Sequence, residues 1–254
     1  MKTDCIQISE IFGASVQGEG PNAGARCIFV RVQGCSYSCK WCDSKYTWGQ
    51  GGTKYTEEEL TEYLVNLCKS TNCKRIVLTG GNPCLYNFAY VINQLQAHHI
   101  KVDIETQGDI IPEWLTQLDT VVFSPKGPSS GMPDTYDNIV NYIRFNYIRH
   151  SHGYTDNSKI AIKIPIFNKD DIEFARRFSK FVNEVTDEWE SSTPVYMYLS
   201  VGNSDVDTTE SIRDRVLEDY EKLLNDINES PEDFENVFIL PQIHTLVWGN
   251  KQGV

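Results

Sequence analysis

Gly34-Cys35-Ser36-Tyr37-Ser38-Cys39-Lys40-Trp41-Cys42-Asp43 puts three cysteines within eight residues, directly after the β-rich run Cys27-Ile28-Phe29-Val30-Arg31-Val32. A short apolar, β-branched run ending in glycine reads as a strand that delivers the cysteine loop at its carboxyl end. Thiolates are soft ligands suited to iron–sulfur clusters or zinc, and a four-iron cluster takes four external ligands. The C-x3-C-x2-C loop supplies three. One iron is thereby left open to a small molecule carrying an amino and a carboxylate group, which turns an electron carrier into a catalyst.

Other uses of the cysteines remain open on residue types alone. Zinc is one, with His98, His99, His150, His152 or His244 as a distant fourth ligand, although structural zinc sites usually pair two C-x2-C knuckles and the chain has no second one. Disulfides fit less well, because no apolar signal segment follows Met1-Lys2-Thr3-Asp4 to send the chain to an oxidising compartment. Cys5, Cys27, Cys68, Cys73 and Cys84 are scattered and read as reduced, small core hydrophobes.

At 254 residues and 40% hydrophobic content, the chain is expected to form a single domain, residues 1–254, with 241–254 as a C-terminal tail. A formal charge of −12 argues against nucleic-acid binding, which needs a basic face. No apolar run approaches the roughly 20 residues of a membrane span. A cytoplasmic location without membrane contact is the expectation.

Outward from the cysteine loop, strand and helix signals alternate. Thr56 followed by Glu57, Glu58 and Glu59 reads as an N-cap and acidic first turn for a helix to about Lys69. Strands follow at 75–79, 101–105, 120–124, 159–164 and 195–201, with helices around 90–95, 134–147, 169–184 and 209–225. Such alternation implies a parallel sheet with right-handed crossovers. Six strands predict an α/β fold with a partial, open (β/α)6 barrel of mainly parallel strands rather than a closed eightfold barrel. The loops 47–53 and 127–133 carry turn residues and read as the likeliest flexible segments.

Several further positions carry chemistry. Gln17 and Glu19 sit among glycines in residues 12–21, which reads either as a glycine-rich hairpin or, with Arg31, as a set able to read a polar heterocycle and clamp a carboxylate. Thr79-Gly80-Gly81-Asn82-Pro83 closes a strand where glycine lets the backbone approach a ligand, or makes a plain tight turn. Pro125 biases Ser124 towards an extended conformation and leaves Lys126 at a strand mouth, to meet a carboxylate or to be solvated. Asp43-Ser44 offers oxygen ligands for a hard cation such as Mg²⁺, or a helix cap. Glu105 lies at another strand end, as polar support or site residue, and His244 reads as a hydrogen-bonded packing residue.

Taken together, residues 10–20, the cysteine loop through Ser44, 79–83, 105–108, 124–126 and 244–251 resemble the 7-carboxy-7-deazaguanine synthases of the radical S-adenosylmethionine (SAM) superfamily, in their longer, bacillus-like branch. The resemblance covers nearly the whole chain. It implies a 4Fe-4S cluster on Cys35, Cys39 and Cys42 with SAM on the open iron. One electron would cleave SAM to a 5′-deoxyadenosyl radical, which takes a hydrogen from 6-carboxy-5,6,7,8-tetrahydropterin. The ring then contracts with loss of ammonia to 7-carboxy-7-deazaguanine, and SAM is regenerated. Such products feed queuosine and related 7-deazapurines.

Carried over position by position, the resemblance implies substrate contacts at Val16, Gln17, Gly18, Arg31 and Thr79. SAM contacts fall at Gly81, Ser124, Pro125 and Lys126, and the Mg²⁺ ligand at Ser44. It further implies a homodimer and an electron donor such as flavodoxin. Two departures stand out. Many radical SAM enzymes have glutamate after the paired glycines, where this chain has Asn82, and shorter members end near Pro241. A glycyl-radical-enzyme activase and a non-catalytic iron–sulfur protein are the alternative functions.

Overall fold

Thr56 starts the first helix, α1 (Glu57–Thr71), with a reciprocal cap: its hydroxyl accepts from Glu59 N at 3.1 Å, and the Glu59 carboxylate accepts from Thr56 N at 2.8 Å. Two donors of the first turn that no helical carbonyl can reach are satisfied in this way. Asn72 in the left-handed region, φ 49°, stops the helix. The computed structural model of the chain describes residues 5–151, 159–188, 195–203, 205, 212–251 and 253.

The strands are β1 (Ile6–Val16), β2 (Arg26–Val32), β3 (Thr53–Tyr55), β4 (Arg75–Gly80), β5 (Lys101–Thr106), β6 (Thr120–Phe123), β7 (Lys159–Ile166), β8 (Val195–Val201) and β9 (Val237–Leu240). Among the described residues they form one nine-stranded sheet in the order β3-β1-β2-β4-β5-β6-β7-β8-β9. From β2 to β9 every adjacent pair is parallel, while β1 runs antiparallel to β2 and β3. The two edges do not meet, so the barrel is open. The six expected strands are β2 and β4 to β8. Beyond them the structure adds β9 on one side and the β1–β3 extension on the other. β3 has three residues, too few to show a period.

The remaining helices are α2 (Ala89–Ala97), α3 (Tyr136–Ser151), α4 (Lys169–Glu188), α5 (Arg213–Asn228) and α6 (Ile243–Trp248). The last acidic helix, expected from about 209, is α5, and positions 209–211 lie outside the described residues. Strand alternation sorts side chains onto two faces. Ile28, Val30, Leu78, Ile104, Ile162 and Leu199 join the outer core against Leu60, Leu64, Ile92, Phe174 and Phe178 of the helices. Each such buried side chain contributes about 1.5–3 kcal/mol. The intervening positions face the concave side, where a small apolar layer of Val122, Ala161 and Tyr198 stands apart from the main core. All eight cysteines are free thiols, and Cys27, Cys68, Cys73 and Cys84 are buried as expected. No helix among the described residues is long and apolar enough to cross a membrane.

Candidate active site

The carboxyl ends of the parallel strands open into a cavity of about 280 Å³, lined by the cysteine loop, the β1–β2 turn and the C-terminal segment. Such a crevice is where ligands bind in parallel α/β sheets.

The β1–β2 turn is closed by Gln17 N to Ala25 O at 2.9 Å and Gly24 N to Gln17 O at 2.8 Å. Residues 12–21 are therefore both hairpin and site wall. The turn dips into the concave face, where Asn22 Nδ2 donates to Asp103 Oδ2 at 3.0 Å and to Thr120 Oγ1 at 3.2 Å. Gln17 and Glu19 are thereby held against the barrel interior. Gln17 Nε2 donates to Glu105 Oε1 at 2.9 Å. Lys163 Nζ lies 2.9 Å from Glu19 Oε2 and 3.4 Å from Glu105 Oε1, and Thr79 Oγ1 lies 3.5 Å from Glu105 Oε2. Burial alone would raise the Glu19 carboxyl, but Lys163, His244 and the Lys163 and Gln242 hydrogen bonds outweigh it and hold it at about 2. Burial would lower Lys163, and the Glu105 and Glu19 carboxylates overcome this and raise it.

A second polar group stands at the end of β2. Arg31 Nε donates to Glu10 Oε1 at 2.8 Å, and Arg31 Nη1 to Ser44 Oγ at 2.9 Å. Ser44 Oγ in turn donates to Asp43 Oδ1 at 2.8 Å, and Tyr46 OH to Glu10 Oε1 at 2.7 Å. Arg31 and Ser44, chosen from sequence for different tasks, are direct neighbours.

Between these groups lies the cysteine loop, whose three thiols all line the cavity. Burial pushes the Cys39 thiol up to about 11, with Lys126 opposing and the nearby Cys42 and Cys35 sulfurs adding to the rise. The loop is braced on both sides. Lys40 N donates to Ser130 O at 3.1 Å and Trp41 Nε1 to Ser129 Oγ at 2.9 Å. Asp171, fully buried, accepts from Ser129 N and Phe167 N. The segment 127–133, expected to be a flexible loop, is instead tied to the cysteine loop. Trp41 stacks on Phe167 with centroids 4.4 Å apart, and Lys126 Nζ lies 5.6 Å from the Trp41 ring. On the other side, a Cβ at Gly81 would sit 1.8 Å from Gly34 O, so only glycine lets the end of β4 meet the loop.

Asn82 does not face the cavity. It is fully buried, and its Oδ1 accepts from Cys84 N and Thr106 Oγ1 while its Nδ2 donates to Ser36 Oγ and Asp109 Oδ1. The residue is a joint between the cysteine loop and the ends of β4 and β5. Pro125 is buried between Ser124 and Lys126, which both line the cavity.

The three-thiol donor set fits an iron–sulfur cluster. Among the described residues no three His, Cys, Asp or Glu side chains converge on one ion position. That does not match tetrahedral zinc, whereas thiolates on a cluster each bind a separate iron. Of the histidines considered, His98 and His99 are exposed, His152 lies outside the described residues, and His244 lines the cavity.

The C-terminal segment closes the same cavity. Ile243 N donates to Gly18 O at 3.1 Å, and a Cβ at Gly18 would lie 2.3 Å from His244 Nδ1. Gln242 Nε2 donates to Glu19 Oε1 at 3.2 Å, and Asn250 is held by Asn203 and by Asp205 O. Sequence reasoning passed over Lys163, Phe167 and Asp171. Lys163 had a signal, a charge at an inward position of an otherwise apolar strand. Phe167 and Asp171 follow that strand and had none.

Residues 16–112 match the family model of a 4Fe-4S single cluster domain, a span containing all three loop cysteines, Arg31, Thr79 and Glu105. The chain is 36% identical over 257 aligned positions to the 7-carboxy-7-deazaguanine synthase of Bacillus subtilis strain 168, covering 98% of each chain. It belongs to the 7-carboxy-7-deazaguanine synthase family. The synthase of Bacillus cereus is 34% identical, with 98% of this chain and 99% of the relative covered. The crystal structure of QueE from Escherichia coli superposes with a TM-score of 0.64 at 20% identity, covering 94% of this chain and 95% of that one. The expected open barrel of mainly parallel strands is the fold of this chain, with β1, β3 and β9 added to the anticipated strands.

Proposed function

We propose that the chain is a radical SAM 7-carboxy-7-deazaguanine synthase that converts 6-carboxy-5,6,7,8-tetrahydropterin to 7-carboxy-7-deazaguanine with loss of ammonia. The observation that carries this reading is the meeting, in one cavity, of three free thiols, a cationic end at Arg31 and Ser44, and a carboxylate end at Glu105 and Glu19 bridged by Lys163. A small molecule with a carboxylate at one end and ring N–H donors at the other complements that polarity. Cys35, Cys39 and Cys42 would hold a 4Fe-4S cluster. Gly81, Ser124 and Lys126 would contact SAM, with Pro125 keeping Ser124 extended. When bound, the cluster and SAM would supply the one-electron radical chemistry that removes a hydrogen atom from the substrate.

The chain's own groups bind and orient. Arg31 meets the substrate carboxylate, and Ser44 would hold a Mg²⁺ that would offset the same charge. Val16, Gln17, Gly18 and Thr79 flank the ring, and Glu105 accepts from its N–H groups. Trp41, Phe167 and the C-terminal segment exclude water from the reacting centre. A cytoplasmic homodimer reduced by a donor such as flavodoxin completes the reading.

The test is anaerobic turnover of 6-carboxy-5,6,7,8-tetrahydropterin by reconstituted protein with SAM, dithionite and Mg²⁺, with mass spectrometry for the deazaguanine. SAM cleavage with the pterin untouched would move the assignment to an activase. An intact cluster without SAM cleavage would leave a non-catalytic iron–sulfur protein.

A further inference from the structure

Lys163 is an inward-facing residue of β7, with its side chain only 7% exposed, placed between two carboxylates, Glu19 of the β1–β2 turn and Glu105 of β5. The partners are unequal. Glu19 is satisfied at both oxygens, Oε2 by Lys163 and Oε1 by Gln242 Nε2. Glu105 is satisfied at one oxygen, where Oε1 takes Gln17 Nε2 at 2.9 Å and Lys163 Nζ at 3.4 Å. Its Oε2 has only Thr79 Oγ1, at 3.5 Å, the outer limit of a hydrogen bond. Glu105 lines the cavity. Glu19 is thus a counter-ion, and Glu105 carries the free acceptor.

From this asymmetry we propose that Lys163 is the positioning residue that sets which heterocycle edge the cavity accepts, by holding Glu105 through Oε1 so that Oε2 stays open to a ligand N–H donor. The inference deepens the pterin reading and rests on it. Without the ammonium, the Glu19 and Glu105 carboxylates lose the cation that bridges them and repel one another in a low-dielectric site. Glu105 then turns from the position in which Oε2 meets a ligand N–H group. The advantage of an amino edge over a carbonyl edge is lost with it.

6-Carboxypterin and 6-carboxylumazine make that difference measurable. They share the ring system and the carboxylate facing Arg31, and differ in having a 2-amino or a 2-oxo group. Their dissociation constants are measured by fluorescence titration of the cluster-reconstituted protein with SAM, under anaerobic conditions, with iron content and melting temperature recorded for each variant. The wild type is expected to prefer the pterin. Lys163→Met is expected to weaken pterin binding at least tenfold and to abolish the preference. Lys163→Gln, which keeps a donor without the charge, should do the same and serves if the methionine variant does not fold. Lys163→Arg should restore the preference. Glu19→Gln leaves Lys163 to Glu105 alone and should keep it. An unchanged pterin-to-lumazine ratio in folded Lys163→Met or Lys163→Gln overturns the proposal, as does equal loss in Glu19→Gln, which would mark a merely structural network. If the wild type binds neither compound, the pterin reading itself falls and takes this inference with it.

Discussion

Arg31 Nη1 donates to Ser44 Oγ across 2.9 Å, joining the carboxyl end of β2 to the residue two places beyond the final loop cysteine. The guanidinium is held through Nε by Glu10 at 2.8 Å, which fixes its orientation at the cavity wall. Removing the hydroxyl and removing the cation should therefore act differently. Ser44→Ala is expected to raise the Mg²⁺ concentration needed for half-maximal turnover with little change in kcat at saturating Mg²⁺. Arg31→Ala removes a charge-assisted bond of about 1.5–3 kcal/mol and should cut kcat/KM by roughly 10- to 150-fold. Steady-state kinetics over a Mg²⁺ series separates the two, and identical profiles would argue against distinct roles.

Cys39 and Cys84 are both buried free thiols, but only Cys39 lines the cavity. Cys39→Ala is expected to abolish SAM cleavage and to lower reconstituted iron content. Cys84→Ala removes a thiol that packs at 3.4 Å on Thr106 Oγ1 and should keep its iron, at a cost of roughly 1 kcal/mol in stability. Iron and sulfide analysis alongside SAM cleavage checks both. Full activity of a cluster-free Cys39→Ala protein would remove the cluster from the mechanism.

Asn82 is where the chain departs from the glutamate common in radical SAM enzymes, and all its hydrogen-bonding atoms are engaged by protein groups. Restoring glutamate would bury a second carboxylate beside Asp109 and remove two donated bonds. An uncompensated buried charge costs about 3–5 kcal/mol. Asn82→Glu is thus expected to lower the melting temperature and the yield of loaded protein rather than to tighten SAM. A variant that binds SAM more tightly at unchanged stability would mean that position 82 turns to the cavity after all.

How far this could be read from sequence follows from what each residue depends on. The cysteine loop, α1 and the parallel strands are encoded locally, in spacing, capping and runs of β-branched residues. Arg31 and Gln17 stand out as polar groups at a strand end or among glycines, whereas Thr79 enters the site only through the family resemblance. The pairing of Glu19 with Lys163, 144 positions away, is set by the closure of the sheet and by the β1–β2 turn dipping inside it, and neither has a local signature. The brace from Asp171 through Ser129 to the cysteine loop is of the same kind. Asn82 was visible as a departure, but its burial was not, because that depends on Ser36, Thr106 and Asp109 converging.

Gly81 tests the contact between β4 and the cysteine loop. A Cβ there would overlap Gly34 O at 1.8 Å, a backbone atom that cannot rotate aside. Gly81→Ala must therefore push the loop outward at its first residues, next to Cys35. The expected result is at least a tenfold loss of cluster incorporation with near-native secondary structure, read by iron analysis and circular dichroism. Normal cluster content would show that the loop yields at no cost to its ligand geometry.

Glu19 makes a further prediction with a definite sign. Its carboxyl is lowered from 4.5 to about 2 because Lys163, His244 and two hydrogen bonds outweigh burial. A group whose folded value is depressed contributes stability that is fully present above its unfolded value and is lost as pH falls through the folded one. The window therefore runs from about pH 4.5 down to about pH 2, and the shift corresponds to something on the order of 3 kcal/mol, shared with Lys163 and so not separable from it. Urea midpoints measured at pH steps from 6 to 3 should fall for the wild type as the unfolded chain takes up a proton at Glu19 while the folded one stays ionised. Glu19→Gln should start lower at pH 6 and show a shallower decline, since it has no carboxylate at this position to titrate. Parallel curves for the two proteins would locate the acid sensitivity elsewhere and would mean that the Glu19–Lys163 pair contributes little to holding the β1–β2 turn inside the barrel.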